Sequence, residues 1–159
     1  SFAIQEWYVR HWGGVKGNKT ETLREYDADS DEKLISRGVA GVASWSKMLA
    51  LRDPSRYAIY DARVAMALNS IQRLAGVSEP MLFPQLPSRN VRVNAAQRKI
   101  KLLNIFALKK PGAAFYLEYL HMLEAASRHV NGLDLQTAEM ILFADAEKLA
   151  TQAWLDDVS

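Results

Sequence analysis

The sequence predicts an all-α protein folded as a single helical domain. Apolar residues recur at three- and four-residue intervals through long segments. Glycines and prolines punctuate those segments at the positions where helices stop. No stretch alternates apolar and polar residues for long enough to make a useful strand. With 159 residues, 49% of them hydrophobic, the chain can build one core, and its length gives no reason to expect a second.

Taken in order, residues 2–12 read as a short amphipathic helix with Phe2, Trp7 and Tyr8, closed by Gly13-Gly14. A polar loop over 15–20 precedes a second helix starting at Thr20, and Ser30 caps a short helix over 31–36. Ser36 to Ser44 form a glycine-punctuated turn, and the apolar helix after it, Trp45 to Leu51, carries Lys47. Pro54 stops that helix, because it lacks an N–H and restricts the residue before it. The link Tyr57-Ala58-Ile59-Tyr60 then delivers Asp61 to the start of the next helix. On that helix Val64, Leu68 and Ile71 share a face toward the core, and Gly76 ends it.

Residues 77–90 contain Pro80, Pro84 and Pro87, which forbid a helix, while Met81, Leu82, Phe83 and Leu86 imply that the loop packs on the body. Long ordered loops more often carry function than short ones. A helix over 91–109 turns Ala96, Ile100, Leu103 and Ala107 inward and Arg98, Lys99 and Lys101 outward, and Pro111-Gly112 breaks it. Over 113–130, Phe115, Tyr119, Met122, Leu123, Ala126 and Val130 make one stripe. Asn131-Gly132 separates it from a last helix over 134–155 with Leu142, Leu149 and Trp154 apolar.

Composition removes several classes of function. With no cysteine there is no disulfide, thiol nucleophile or cysteine-ligated cluster. No run of 18 apolar residues exists to make a transmembrane helix, so no membrane association is expected. The first residues carry neither a basic region nor an apolar leader, so a signal peptide is not expected and the setting reads as cytoplasmic. His11, His121 and His129 are sparse, and the last two stand eight apart on one helix, too far for a metal pair. Neither a metal nor a cofactor is expected. The net charge of +2 hides a segregation. Residues 1–61 carry nine basic and nine acidic groups, residues 62–117 carry nine basic and one acidic, and residues 118–159 carry two basic and eight acidic. A basic middle suggests a face for a polyanion. The acidic last helix, with Glu139, Asp145 and Glu147, reads as a solvated face or a surface for a protein partner.

Helix, Gly-x-x-Gly turn, helix, Pro-containing link and Asp at a helix start follow one another over residues 34–75. That order resembles the helix-hairpin-helix DNA glycosylases, and most nearly the 8-oxoguanine glycosylase-like branch, where a similar link ends in an Asp followed by Arg-Val or His-Val. Here Arg63-Val64 follows Asp61 after one alanine. Absence of cysteine separates the chain from the iron–sulfur branch. The resemblance implies a DNA-binding protein that excises a modified base, an oxidised purine among the candidates, after flipping it out of the stack. Asp61 would then stabilise the positive charge that develops on the sugar, or activate the attacking nucleophile. By itself, the same residue reads as a helix N-cap.

Bifunctional members of that family also place a Schiff-base lysine just after the hairpin. About 18 residues before Asp61 the matching position is Ala43, and Lys47 lies one turn later on the same face. Lys47 is either a displaced nucleophile, giving lyase chemistry, or a solvated or phosphate-contacting lysine, leaving hydrolysis. Gly38 and Gly41 offer backbone N–H groups to a DNA phosphate, or simply make a turn. Arg63, Ser88, Arg89, Asn90 and Arg92 are the further nucleic-acid contacts expected, with Asn90 equally suited to cap the next helix. Trp45 and Tyr60, with Trp12 and Tyr57 beside them, are the aromatic candidates for stacking on the flipped base. Two other readings compete: a nucleic-acid-binding module without catalysis, and a helical protein-interaction domain.

Overall fold

The computed structural model describes residues 1–103 and 114–156, and among them the chain is helical with no strand. Helix α1 (Phe2–Trp7) continues into a π-helical turn, Tyr8–Trp12. Then come α2 (Thr20–Ala28), α3 (Asp31–Ser36), α4 (Val42–Arg52), α5 (Ala62–Leu74), α6 (Val91–Leu103), α7 (Phe115–His129) and α8 (Leu135–Ala150). A second π-helical turn, Thr151–Leu155, extends α8. No described helix is long and apolar enough to cross a membrane.

Local chemistry sets most of the helix ends. Ser30 Oγ accepts from the Lys33 N–H, and Asp134 Oδ1 from the Thr137 N–H at 2.7 Å. Gly76 sits at φ +63° just past α5, with its N–H on Arg73 O and the Val77 N–H on Gln72 O. These are the two bonds of a Schellman cap. Asn90 caps α6, its Oδ1 accepting from the Val93 N–H at 3.0 Å.

Helix α5 is the axis of the fold and packs most extensively on α8. One side of it, with Val64, Ala65 and Leu68, joins the main core made with α4, α7 and the link before Asp61. Met66, on another side, joins a smaller core with Val93, Ala96, Ile100, Ala150 and Trp154. Buried on two sides, α5 does not show the single stripe expected of it: Val64 and Leu68 face inward, but Ile71 is 39% exposed. In α7 the buried line is Phe115, Tyr116, Tyr119, Leu120 and Leu123, whereas Met122, Ala126 and Val130 are exposed. The helix dips its first turns into the core and leaves its end in solvent. Ala96 and Ile100 are buried as expected, with Arg98, Lys99 and Lys101 outside. The expectations for the Leu103 side chain, for Ala107 and for the Pro111-Gly112 break lie outside the described residues.

Candidate active site

Asp61 is positioned by the four residues before it. Link residues 57–60 are irregular and buried, so their carbonyls need partners that no helix or sheet supplies. Each gets a side-chain donor. Gln136 Nε2 donates to Tyr57 O, Tyr116 OH to Ala58 O at 2.7 Å, and Tyr119 OH to Ile59 O at 2.8 Å. Ser46 takes the last residue, accepting from the Tyr60 N–H and donating to its carbonyl. Three helices thus grip the link. At its end Asp61 Oδ1 accepts from the N–H groups of Arg63 (2.9 Å) and Val64 (3.0 Å). Oδ2 accepts from no described residue, while Asp61 lines an open cleft of about 960 Å³. Capping therefore uses one oxygen and leaves the other for the cleft.

Lys47 lines the same cleft although it is only 3% exposed. Its Nζ turns back along α4 and donates to Ala43 O at 2.8 Å. The ammonium is thereby turned back toward the preceding turn of α4. Burial pushes its pKa below the usual lysine value, against the opposing pull of Asp61 and Glu139. Glu139, expected on a solvated face, is instead 6% exposed on α8 and makes no hydrogen bond or ion pair with a described residue. Burial first, and the nearby Asp61 charge second, raise its carboxyl to about 7, with Lys47 opposing. An amine held toward its neutral form thus shares the cleft with an Asp, and a carboxyl held toward its acid form lies near both without lining it.

The walls of the cleft come from four segments. Residues 13–18 form one, tied to α4 by a hydrogen bond from Asn18 Nδ2 to Ser44 Oγ. The turn before α4 contributes Val39 and Gly41. Residues 85–90 of the Pro-rich loop form a third wall, and Arg63 with Phe143 a fourth. Side chains hold that loop as firmly as the link. Asn69 of α5 exchanges two bonds with the backbone of Phe83, and Gln72 does the same with Met81. Tyr60 OH donates to Pro84 O, and Gln97 and Asn94 donate to Leu86 O and Ser88 O.

Of the residues expected from the sequence, the cleft gathers Lys47, Asp61, Gly41, Arg63, Ser88, Arg89 and Asn90. Gly38 is not among its lining residues, and its N–H is already spent on Ile35 O. The N–H groups of Val39, Ala40 and Gly41 donate to no described residue. Arg92 points away and donates to Thr151. Trp45 and Tyr60 are core residues instead of stacking platforms. Both are fully buried, their rings edge-on to Tyr116 and to Phe115 and Tyr119. Tyr57 is buried with its hydroxyl on Asp31, and Trp12 stacks on Tyr8 outside the cleft. The aromatic ring that does reach the cleft is Phe143, 41% exposed, with the Arg63 guanidinium 4.9 Å from its centre. Arg63 also donates to Glu147 at 2.9 Å. Only the four-residue spacing of Glu139 and Phe143 on one helix hinted that they share a face. Against known proteins, no family model, no curated sequence and no solved structure matches this chain.

Proposed function

We propose that the chain is a DNA glycosylase of the helix-hairpin-helix kind, cutting the bond between a modified base and its sugar. The observation that carries this reading is the Lys47 Nζ held at the carbonyl of Ala43 in the cleft that Asp61 lines. By spacing from Asp61, residue 43 matches the position where the resembling enzymes carry their amine, and the Lys47 side chain reaches back toward that turn. A neutral amine attacks C1′ of the flipped nucleotide, the bond from C1′ to the base breaks, and the base leaves with a proton. The nitrogen lone pair of the resulting aminal then opens the sugar ring: the C1′–O4′ bond breaks as the imine forms, and O4′ takes the proton that the nitrogen loses. The free oxygen of Asp61 faces the sugar carbon as positive charge grows there, an interaction stronger in the transition state than in the ground state. Phe143 supplies a ring for the extruded base, Arg89 supplies a cation for a flanking phosphate, and the N–H groups of Val39 to Gly41 offer an anion-binding turn.

The test is incubation with duplexes carrying single modified bases, 8-oxoguanine first. Products are read after alkali and, separately, after borohydride trapping. Excision that disappears in Asp61→Asn, with an adduct that disappears in Lys47→Gln, is the expected result. Excision without an adduct would make the reaction hydrolytic. Salt-sensitive binding with no excision of any base would leave a binding module in place of the enzyme.

A further inference from the structure

Gly13 does something its backbone does not require. Its φ of −79° and ψ of −7° are open to any residue. The restriction is contact: a Cβ there would stand 2.4 Å from Lys47 Cε, 2.7 Å from Cδ and 2.9 Å from Val9 O. The next residue is the reverse case. Gly14 sits at φ +67°, yet a Cβ on it would meet nothing within 4 Å. Backbone bonds fix this segment, the Gly13 N–H on Tyr8 O and the Val15 N–H on Val9 O, and Asn18 ties its far end to Ser44.

We propose that Gly13 is a positioning residue for Lys47: the bare Cα lets the start of the 13–18 wall close on the lysine stem and hold Nζ on Ala43 O, inside the cleft. The functional part of this inference rests on the reading of Lys47 as the nucleophile; the geometric part does not. A methyl at position 13 meets mainly the end of a flexible side chain, so it displaces Lys47 before it disrupts the fold. The displaced amine moves toward water and away from the groups that face it, Asp61 of α5 and Glu139 of α8.

Two measurements test this. In the free protein, the pH dependence of Lys47 acetylation by acetic anhydride, read by mass spectrometry, reports the state of the amine without any DNA. Wild type should titrate below an ordinary lysine, and Gly13→Ala should move back toward one. With a duplex carrying an aldehydic abasic site, borohydride trapping should slow roughly ten-fold or more in Gly13→Ala, with DNA affinity kept. Gly14→Ala, strained by its positive φ but clear of the lysine, should lose stability while Lys47 keeps the labelling profile of wild type. If Gly13→Ala folds poorly, adding Lys47→Ala should restore part of the lost stability, because the two closest clashes go with the lysine stem while that with Val9 O stays. Unchanged labelling in Gly13→Ala, or stability losses at 13 and 47 that merely add, would overturn the proposal. A labelling shift in a protein whose wild type never traps abasic DNA would keep the positioning role and remove the glycosylase reading.

Discussion

Asp61 does two things with two oxygens, and a single substitution separates them. Asparagine caps a helix about as well as aspartate, so Asp61→Asn should leave the melting temperature within about 2 °C. It removes the negative charge, so any excision should fall about a hundred-fold or more. Thermal melts beside a single-turnover assay check both halves, and a large loss of stability would show that capping dominates. Glu139 makes the opposite case, a carboxyl whose burial costs stability. Its folded-state pKa is raised, from the ordinary 4.5 to about 7. The folded protein therefore holds a proton on it that the unfolded chain has lost. The stabilising contribution is fully present below pH 4.5 and disappears as pH rises through about 7. Glu139→Gln should thus match wild type near pH 4.5 and exceed it by about 3 kcal/mol at pH 8, as denaturant titrations at the two pH values would show. An equal gain at both would mean that packing, not charge, is responsible.

At the scale of elements, side chains on α4, α5, α6, α7 and α8 take the place of a sheet in holding two irregular segments. Removing the Tyr119 hydroxyl leaves a buried carbonyl at Ile59 without its donor, so Tyr119→Phe should cost about 1–3 kcal/mol. It should also loosen Asp61, two residues along the link. The Asn69 strap predicts a local effect: Asn69→Leu should release the Phe83 N–H, which donates to Oδ1 at 2.9 Å, and its hydrogen exchange should accelerate well before global unfolding. These elements were unevenly legible in the sequence. The N-cap role of Asp61, the Ser30 cap, the Gly76 stop and the irregular Pro-rich loop follow from rules within a few residues. Tyr116 falls outside the predicted α7 stripe, and what draws it into the core is a carbonyl 58 residues away. Trp45 and Tyr60 are aromatic residues beside the motif, and only tertiary packing shows them sealed in the core. Glu139 reads as solvated because a carboxylate usually is; in the fold it lies near Lys47, Asp61 and Tyr119, from elements far apart in the chain that no local pattern brings together.

At the scale of the whole molecule, among the described residues the basic middle of the chain and its acidic end form one ion pair, Arg63 with Glu147, where side chains from α5 and α8 meet beside the cleft. The pair is partly exposed, so its effect on stability is small. Its effect on binding is larger in principle, because a guanidinium committed to a carboxylate is not free to neutralise a phosphate. Each phosphate contact steepens the fall of log affinity with log salt by about 0.9 on duplex DNA. Arg89 is exposed on the opposite wall, with no carboxylate paired to it among the described residues. Arg89→Ala should therefore reduce the salt slope by about one contact and weaken every duplex alike. Glu147→Gln should do the reverse, raising affinity at low salt and steepening the slope by about one contact as Arg63 is released. Fluorescence anisotropy of one labelled duplex at several salt concentrations measures both. If Glu147→Gln leaves slope and affinity unchanged while Arg89→Ala lowers them, DNA follows the Pro-rich wall and passes Arg63 by. If neither variant moves the slope, the polyanion lies elsewhere on the basic segment, and the cleft does not serve a nucleic acid.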